Sequence, residues 1–149
     1  MKVEDNVVDM AVLIAPALVS SIFTFVPIED ILSEFIVPRT FVWYIPWRGA
    51  FVSFVLWLAS GFLLSDEKRF LKMFFLGSAI SFTAFHYWTL LVEIFNGYNI
   101  VIYPFFYTIE GSGILALDLG QIAILTTLFV FSKNIREFLA KRKKGENFT

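Results

Sequence analysis

The sequence predicts an all-α, polytopic integral membrane protein: a four-transmembrane-helix up-down bundle, with a short interfacial amphipathic helix between spans 1 and 2. Three observations predict it. Hydrophobic residues make up 58% of the 149 residues and charged residues only 17%, too few to clothe a soluble core in a polar shell. The apolar residues fall in blocks long enough to cross a bilayer, which takes about 20 helical residues. Of 12 Lys and Arg, only Arg39 and Arg48 lie outside the N-terminus, the turn from Asp66 to Lys72 and the C-terminal stretch. The positive-inside rule then puts both termini in the cytoplasm of a multi-pass cell-membrane protein, with the aromatic connections outside.

The whole chain, 1–149, reads as one membrane domain. The first span is predicted at 7–26, closed by Pro27. Pro16 at its middle cannot donate to the carbonyl of Val12, which predicts a kink. Ala17, Ser20, Ser21 and Thr24 offer a close-packing face. Glu4, Asp5 and Asp9 stand where a secretory signal would be basic, so this segment reads as a retained span. After it, Ile28, Ile31, Leu32, Phe35 and Ile36 recur at helical spacing, with Glu29, Asp30, Ser33 and Glu34 opposite. That pattern predicts the interfacial helix. Pro38 ends it, and Phe41, Trp43, Tyr44 and Trp47 follow as an interfacial aromatic cluster. The segment Pro27–Pro38 loosely resembles the P-x-E-E…P segment of membrane-bound carotenoid (lycopene) cyclases. It has Asp30 for the second glutamate and lacks the preceding Trp-Asp, and no site residue is carried over.

The second span is predicted at 49–65, short at 17 residues unless it starts nearer Val42, with Gly49 and Ser53 as a small-xxx-small pair and Trp57 and Ser60 sharing their face. Asp66-Glu67-Lys68-Arg69 makes a charged turn. The third span, 70–95, repeats the device at Gly77 and Ser81. An Asn96-Gly97 turn opens the next connection, in which Tyr98, Tyr103, Phe105, Phe106 and Tyr107 crowd together. A loop this aromatic is expected to lie on the interface or to fold back over the helix ends. The fourth span is predicted at 114–132, with Ala116, Gly120, Ala123 and Thr127 on one face. Residues 133–149, which include Lys141-Arg142-Lys143-Lys144, are expected to form a solvated cytoplasmic tail that touches anionic lipid.

Candidate chemistry centres on the third span. His86 is the only histidine of the chain, and Glu93 follows two helical turns later on the same face. With Thr83 and Thr89 they form a polar stripe. Ionisable groups are costly in hydrocarbon, so such a stripe faces protein or water. With the outer boundary near Phe95 and Gly113, Glu93 sits roughly 3 Å deep, Asp118 roughly 8 Å, and His86 and Gln121 roughly 12 to 14 Å. His86, Glu93 and Asp118 are therefore the candidate catalytic residues. Thr83, Thr89 and Gln121 are the candidate substrate-binding ones. The plainer alternative has Glu93 and Asp118 merely reaching the interface, while His86 bonds a backbone carbonyl.

No metal and no cofactor is expected. One imidazole without sequence-local spacing makes a poor metal site, and the absence of cysteine removes thiolate ligation and thiol catalysis. A glycine-rich phosphate loop, a nucleophile elbow and a paired-His zinc motif are all missing. The basic tail reads as a topology determinant, so no nucleic-acid partner is expected. The expected partners are the lipid bilayer and other membrane subunits or further copies of the chain. Three function classes fit: an accessory or structural subunit of a larger membrane complex, a membrane-embedded enzyme acting on a lipid-soluble substrate by proton transfer, and a small proton-coupled carrier acting as an oligomer. Small size, several small-residue faces and few ionisable groups favour the first.

Overall fold

A computed structural model describes residues 2–28, 43–65 and 68–145. Helix α1 spans Lys2–Phe23, α2 Tyr44–Phe62 and α3 Arg69–Phe95. Strands β1 (Ile100–Tyr103), β2 (Phe106–Ile109) and β3 (Ile114–Leu117) follow, and α4 (Leu119–Gly145) ends the described chain. Helices α1, α2 and α3 are long and apolar enough to cross a membrane. At about 1.5 Å per residue they reach roughly 33, 28 and 40 Å, against a hydrocarbon core of about 30 Å. Helix α2 starts at Tyr44, ahead of the predicted Gly49, because Pro46 falls in the first turn. There a missing N–H leaves no helical bond unmade.

Helix α3 is the centre of the packing. Half of its span is buried inside the chain (50%), against 33% for α2 and 11% for α1. Neighbouring helices alternate in direction. Arg48 at the start of α2 donates from Nη1 to the carbonyl of Thr24, just past the end of α1, at 3.0 Å. Arg69 at the start of α3 pairs with Asp9 of α1. Phe131 of α4 lies beside Phe75, early in α3, with ring centroids 6.5 Å apart.

The small residues picked out in the spans mark the closest approaches. A Cβ on Gly77 would lie 2.1 Å from the carbonyl oxygen of Leu13, and one on Gly49 would lie 2.5 Å from the Phe85 ring. Around these contacts Ala50, Trp57, Phe75, Ala79, Phe82, Phe85 and Ala123 form the core. Trp57 stacks on Phe82 at 6.2 Å and 15°. Ser53, Ser60, Ser78 and Thr89 are buried, and each donates its hydroxyl to a carbonyl three or four residues back. These four hydroxyls are thus carried inward paired, whereas the buried hydroxyls of Ser20, Ser81 and Thr127 find no partner among the described residues.

The connection between α3 and α4 departs from the all-α expectation. Strands β1, β2 and β3 form an antiparallel sheet in that order, with Ile102 opposite Tyr107 and Tyr107 opposite Ala116. β-Branched and aromatic residues fit a pleated surface, and Ile100-Val101-Ile102-Tyr103 and Phe106-Tyr107-Thr108-Ile109 are rich in both. Gly97, at φ 92°, stops α3, and the N–H groups of Gly97 and Tyr98 close on the carbonyls of Ile94 and Glu93 at 3.0 and 3.2 Å. Only a residue without a Cβ takes that backbone cheaply.

The sheet takes the first residues of the predicted fourth span. Ile114–Leu117 is a strand, and the apolar part of α4 is Leu119–Ser132, 14 residues, where a full crossing takes about 20. Past Ser132 the helix continues through the basic residues to Gly145. The predicted interfacial helix over 28–36 lies outside the described residues, save Ile28.

Candidate functional site

Strand β3 delivers Asp118 to the start of α4. Its side chain is wholly buried. It occupies the N-cap position of α4, where a short acceptor satisfies an orphan N–H of the first turn. Oδ1 accepts from the Gln121 backbone N–H at 3.0 Å and lies 3.1 Å from His86 Nε2. Oδ2 accepts from Gln121 Nε2 at 2.9 Å and from the Tyr87 hydroxyl at 3.1 Å. A carboxylate offers about four lone-pair positions, and all are used.

Gln121 extends the same network to the sheet. Its Nε2 also donates to the Tyr103 carbonyl at 2.9 Å, and its Oε1 accepts from the Phe105 N–H at 3.0 Å. The Asp118 N–H donates to the Phe105 carbonyl at 2.8 Å. Phe105 sits in the turn between β1 and β2 at φ 69°, a left-handed conformation that costs a residue with a Cβ on the order of 1–3 kcal/mol. Three bonds from the start of α4 hold that turn. Sheet, α3 and α4 are therefore joined at one point.

His86 reaches Asp118 across the gap left by Gly120. A Cβ there would lie 2.6 Å from His86 Cδ2 and 3.1 Å from Asp118 Oδ1. Because a carboxylate accepts, Nε2 carries the hydrogen at this contact, and Nδ1 is the ring nitrogen left for another partner. His86 also lines a cavity of about 320 Å³ with Thr89, Leu90 and Glu93 of α3, Trp43, Trp47 and Ala50 at the start of α2, Tyr107 of β2, and Leu117 and Leu119. The His86 and Tyr107 rings stand edge to face at 6.4 Å and 65°. Burial, then the negative charges of Glu93 and Asp118, raise the Tyr107 phenol above its ordinary value. Two larger or comparable hollows, between α3 and α4 and between α2, α3 and α4, are lined by apolar and hydroxyl side chains and no carboxylate.

Of the residues singled out in the sequence, His86, Asp118 and Gln121 meet in one hydrogen-bonded network. Glu93 and Thr89 join His86 at the cavity. Thr83 does neither and lines the hollow between α3 and α4. His86 bonds a carboxylate, so the backbone-carbonyl alternative is set aside. The expected difference in depth between Asp118 and His86 also disappears, because it counted helical rise from Gly113, and α4 begins at Leu119. Among the described residues no three His, Asp or Glu gather as metal donors.

Sequence reasoning missed Tyr87 and Tyr107, and it read Trp43 and Trp47 only as interface anchors. Two signals were available. Asp118-x-x-Gln121 is a helix-start pattern of acceptor followed three residues later by Glu or Gln, and two β-rich runs flank the two-residue break Pro104-Phe105. Compared with protein-family models, curated proteins and solved structures, the chain matches none. Its functional reading therefore rests on this geometry.

Proposed function

We propose that the chain is a multi-pass membrane enzyme that moves a proton on a lipid-soluble substrate held in the cavity between α2, α3 and the sheet. One observation carries this reading: His86, held by a buried carboxylate through Nε2, lines a cavity that also receives Glu93. The cavity volume falls at the lower end of the roughly 300–1,000 Å³ usual for ligand sites. Asp118 orients the imidazole and stabilises the imidazolium that forms when Nδ1 takes a proton. Tyr87 and Gln121 position Asp118, and Glu93 is placed to exchange a proton with the other end of the substrate. A scaffold gains nothing from a carboxylate and an imidazole around a hollow in its membrane-spanning region.

In this reading α4 makes a fourth crossing, its 27 residues reaching about 40 Å, and the sheet caps the outer face with both termini in the cytoplasm. The test uses the purified chain in nanodiscs made from the total lipid extract of its own cells, incubated in deuterated water. Mass spectrometry should find a lipid converted or deuterated by the wild type. His86→Gln should slow this by roughly 10²–10⁴-fold, the usual contribution of a general base. A lipid extract that the wild type leaves unchanged overturns the enzyme.

One observation supports a second reading, an accessory subunit of a membrane complex. Only 11% of the α1 span is buried, so most of its circumference is left for lipid or a partner subunit. Co-purification of a stoichiometric membrane partner, lost when bulky residues replace exposed Val8, Met10 and Leu18, would favour it over the enzyme.

A further inference from the structure

We propose that the cavity takes an organic cation, a substituted ammonium group. This rests on the cavity being the ligand site, but not on His86 acting as a base. Two observations lead to it independently.

The first is the charge. Glu93 is the carboxylate lining the cavity, and among the described residues no Lys or Arg is ion-paired to it. A half-buried carboxylate beside aromatic walls, paired with no Lys or Arg among the described residues, is matched by a ligand that brings a cation.

The second is the shape and chemistry of the walls. Trp43 and Trp47 both line the cavity, and their rings meet nearly at right angles, 81° with centroids 6.4 Å apart. Tyr107 contributes a third ring and stands at 65° to His86. Aromatic faces carry negative charge at their centres, and rings set at angles around a hollow attract a methylated ammonium, whose charge is spread over an apolar surface. The walls are held in advance. Trp43 stacks on Tyr44 at 4.7 Å and 25°, and Trp47 stacks on Phe51 at 5.8 Å and 23°. Little rotamer freedom is left to lose when a ligand arrives. A neutral apolar ligand would use the rings but leave the Glu93 charge unanswered. An anion would be repelled by both Glu93 and the ring faces.

Such a group comes either on a free, soluble amine or as the headgroup of a lipid. The test distinguishes them. The chain is placed in nanodiscs of phosphatidylglycerol, which has no ammonium group, and the indole N–H resonances of Trp43 and Trp47 are followed by NMR. Three probes are titrated: choline, its uncharged carbon isostere 3,3-dimethyl-1-butanol, and decyltrimethylammonium. Choline should bind at least tenfold more tightly than the isostere. Glu93→Gln should remove that preference, and Trp47→Leu should weaken choline by a further measurable factor. The single His86 Nε2–H resonance should stay in place in both variants, which shows that the Asp118 network is intact. Decyltrimethylammonium binding far more tightly than choline assigns a lipid headgroup, and equal affinities assign a soluble amine. Equal binding of choline and its isostere, or a choline affinity unchanged in Glu93→Gln, overturns the proposal. Choline bound as expected by a chain that converts no lipid removes the enzyme and leaves the cation site standing. Lipid conversion without choline binding does the reverse.

Discussion

Gly120 is the residue on which the site turns. Its missing side chain is the space through which His86 reaches Asp118, and a Cβ there would lie 2.6 Å from the imidazole. Gly120→Ala should therefore drive His86 off the carboxylate and cost about 1–3 kcal/mol as overpacking. Thermal unfolding in detergent should show the loss, and the His86 Nε2–H resonance should vanish. A variant that keeps this resonance would mean that the helices yield by a few tenths of an ångström. Tyr107 gives a second residue-scale expectation. Burial and the nearby charges of Glu93 and Asp118 raise its phenol above the ordinary value, which is about 10. The folded chain thus keeps the neutral phenol where the unfolded chain ionises. Stability should fall as pH rises above about 10 and continue to fall until the folded-state value is passed. Ultraviolet titration of the wild type against Tyr107→Phe should isolate this phenol and show it ionising above its ordinary value, and Glu93→Gln should lower it part of the way.

At the scale of elements, the crossing of α1 and α3 is the tightest joint. Leu13 presents its backbone carbonyl to Gly77, and backbone cannot rotate away as a side chain can. Gly77→Ala should cost about 3 kcal/mol or more, above the usual overpacking range, and should release α1. Gly61→Ala serves as the control. There a Cβ would meet the Phe75 ring at 3.3 Å, a contact that a small ring tilt relieves, at well under about 1 kcal/mol. Similar unfolding temperatures for the two variants would mean that α1 contributes little to the fold. The sequence already pointed at this joint, because Gly77 and Ser81 stand at small-xxx-small spacing. It did not point at the sheet. Tyr98 to Tyr107 reads as an interfacial belt as readily as a hairpin, since the same aromatic residues suit both.

At the scale of the whole molecule, the placement of basic residues predicts both termini in the cytoplasm by the positive-inside rule. The cysteine-free chain makes it simple to check. Ser112→Cys, in the turn between β2 and β3, should react with an impermeant maleimide in intact cells. Gly145→Cys, at the far end of α4, should react only after lysis. The opposite pattern would invert the protein, and labelling of both in intact cells would mean that α4 does not cross. The answer matters because α4 is the helix whose apolar stretch is short, 14 residues from Leu119 to Ser132.

Composition and spacing by themselves determined the three long apolar helices, their close-packing glycines and the set of polar residues worth watching. These are local properties: hydrophobic runs, i and i+4 faces and charge at the ends of spans need only the chain near each residue. They placed Thr83, His86, Thr89 and Glu93 on one face, of which His86, Thr89 and Glu93 line the cavity and Thr83 lines the hollow between α3 and α4. Tertiary structure alone decided that Asp118 would cap α4 and also hold His86, that Gln121 would tie down a strained turn, and that Trp43, Trp47 and Tyr107 would stand around the same hollow. Each of those facts joins segments far apart in the chain, and their geometry depends on where β3 ends and α4 begins. A short helix start after a strand, with a buried carboxylate at its cap, moved the whole fourth element by five residues relative to the apolar run, from Ile114 to Leu119. Hydropathy is blind to that choice, because Ile114, Leu115 and Leu117 are as apolar in a strand as in a helix.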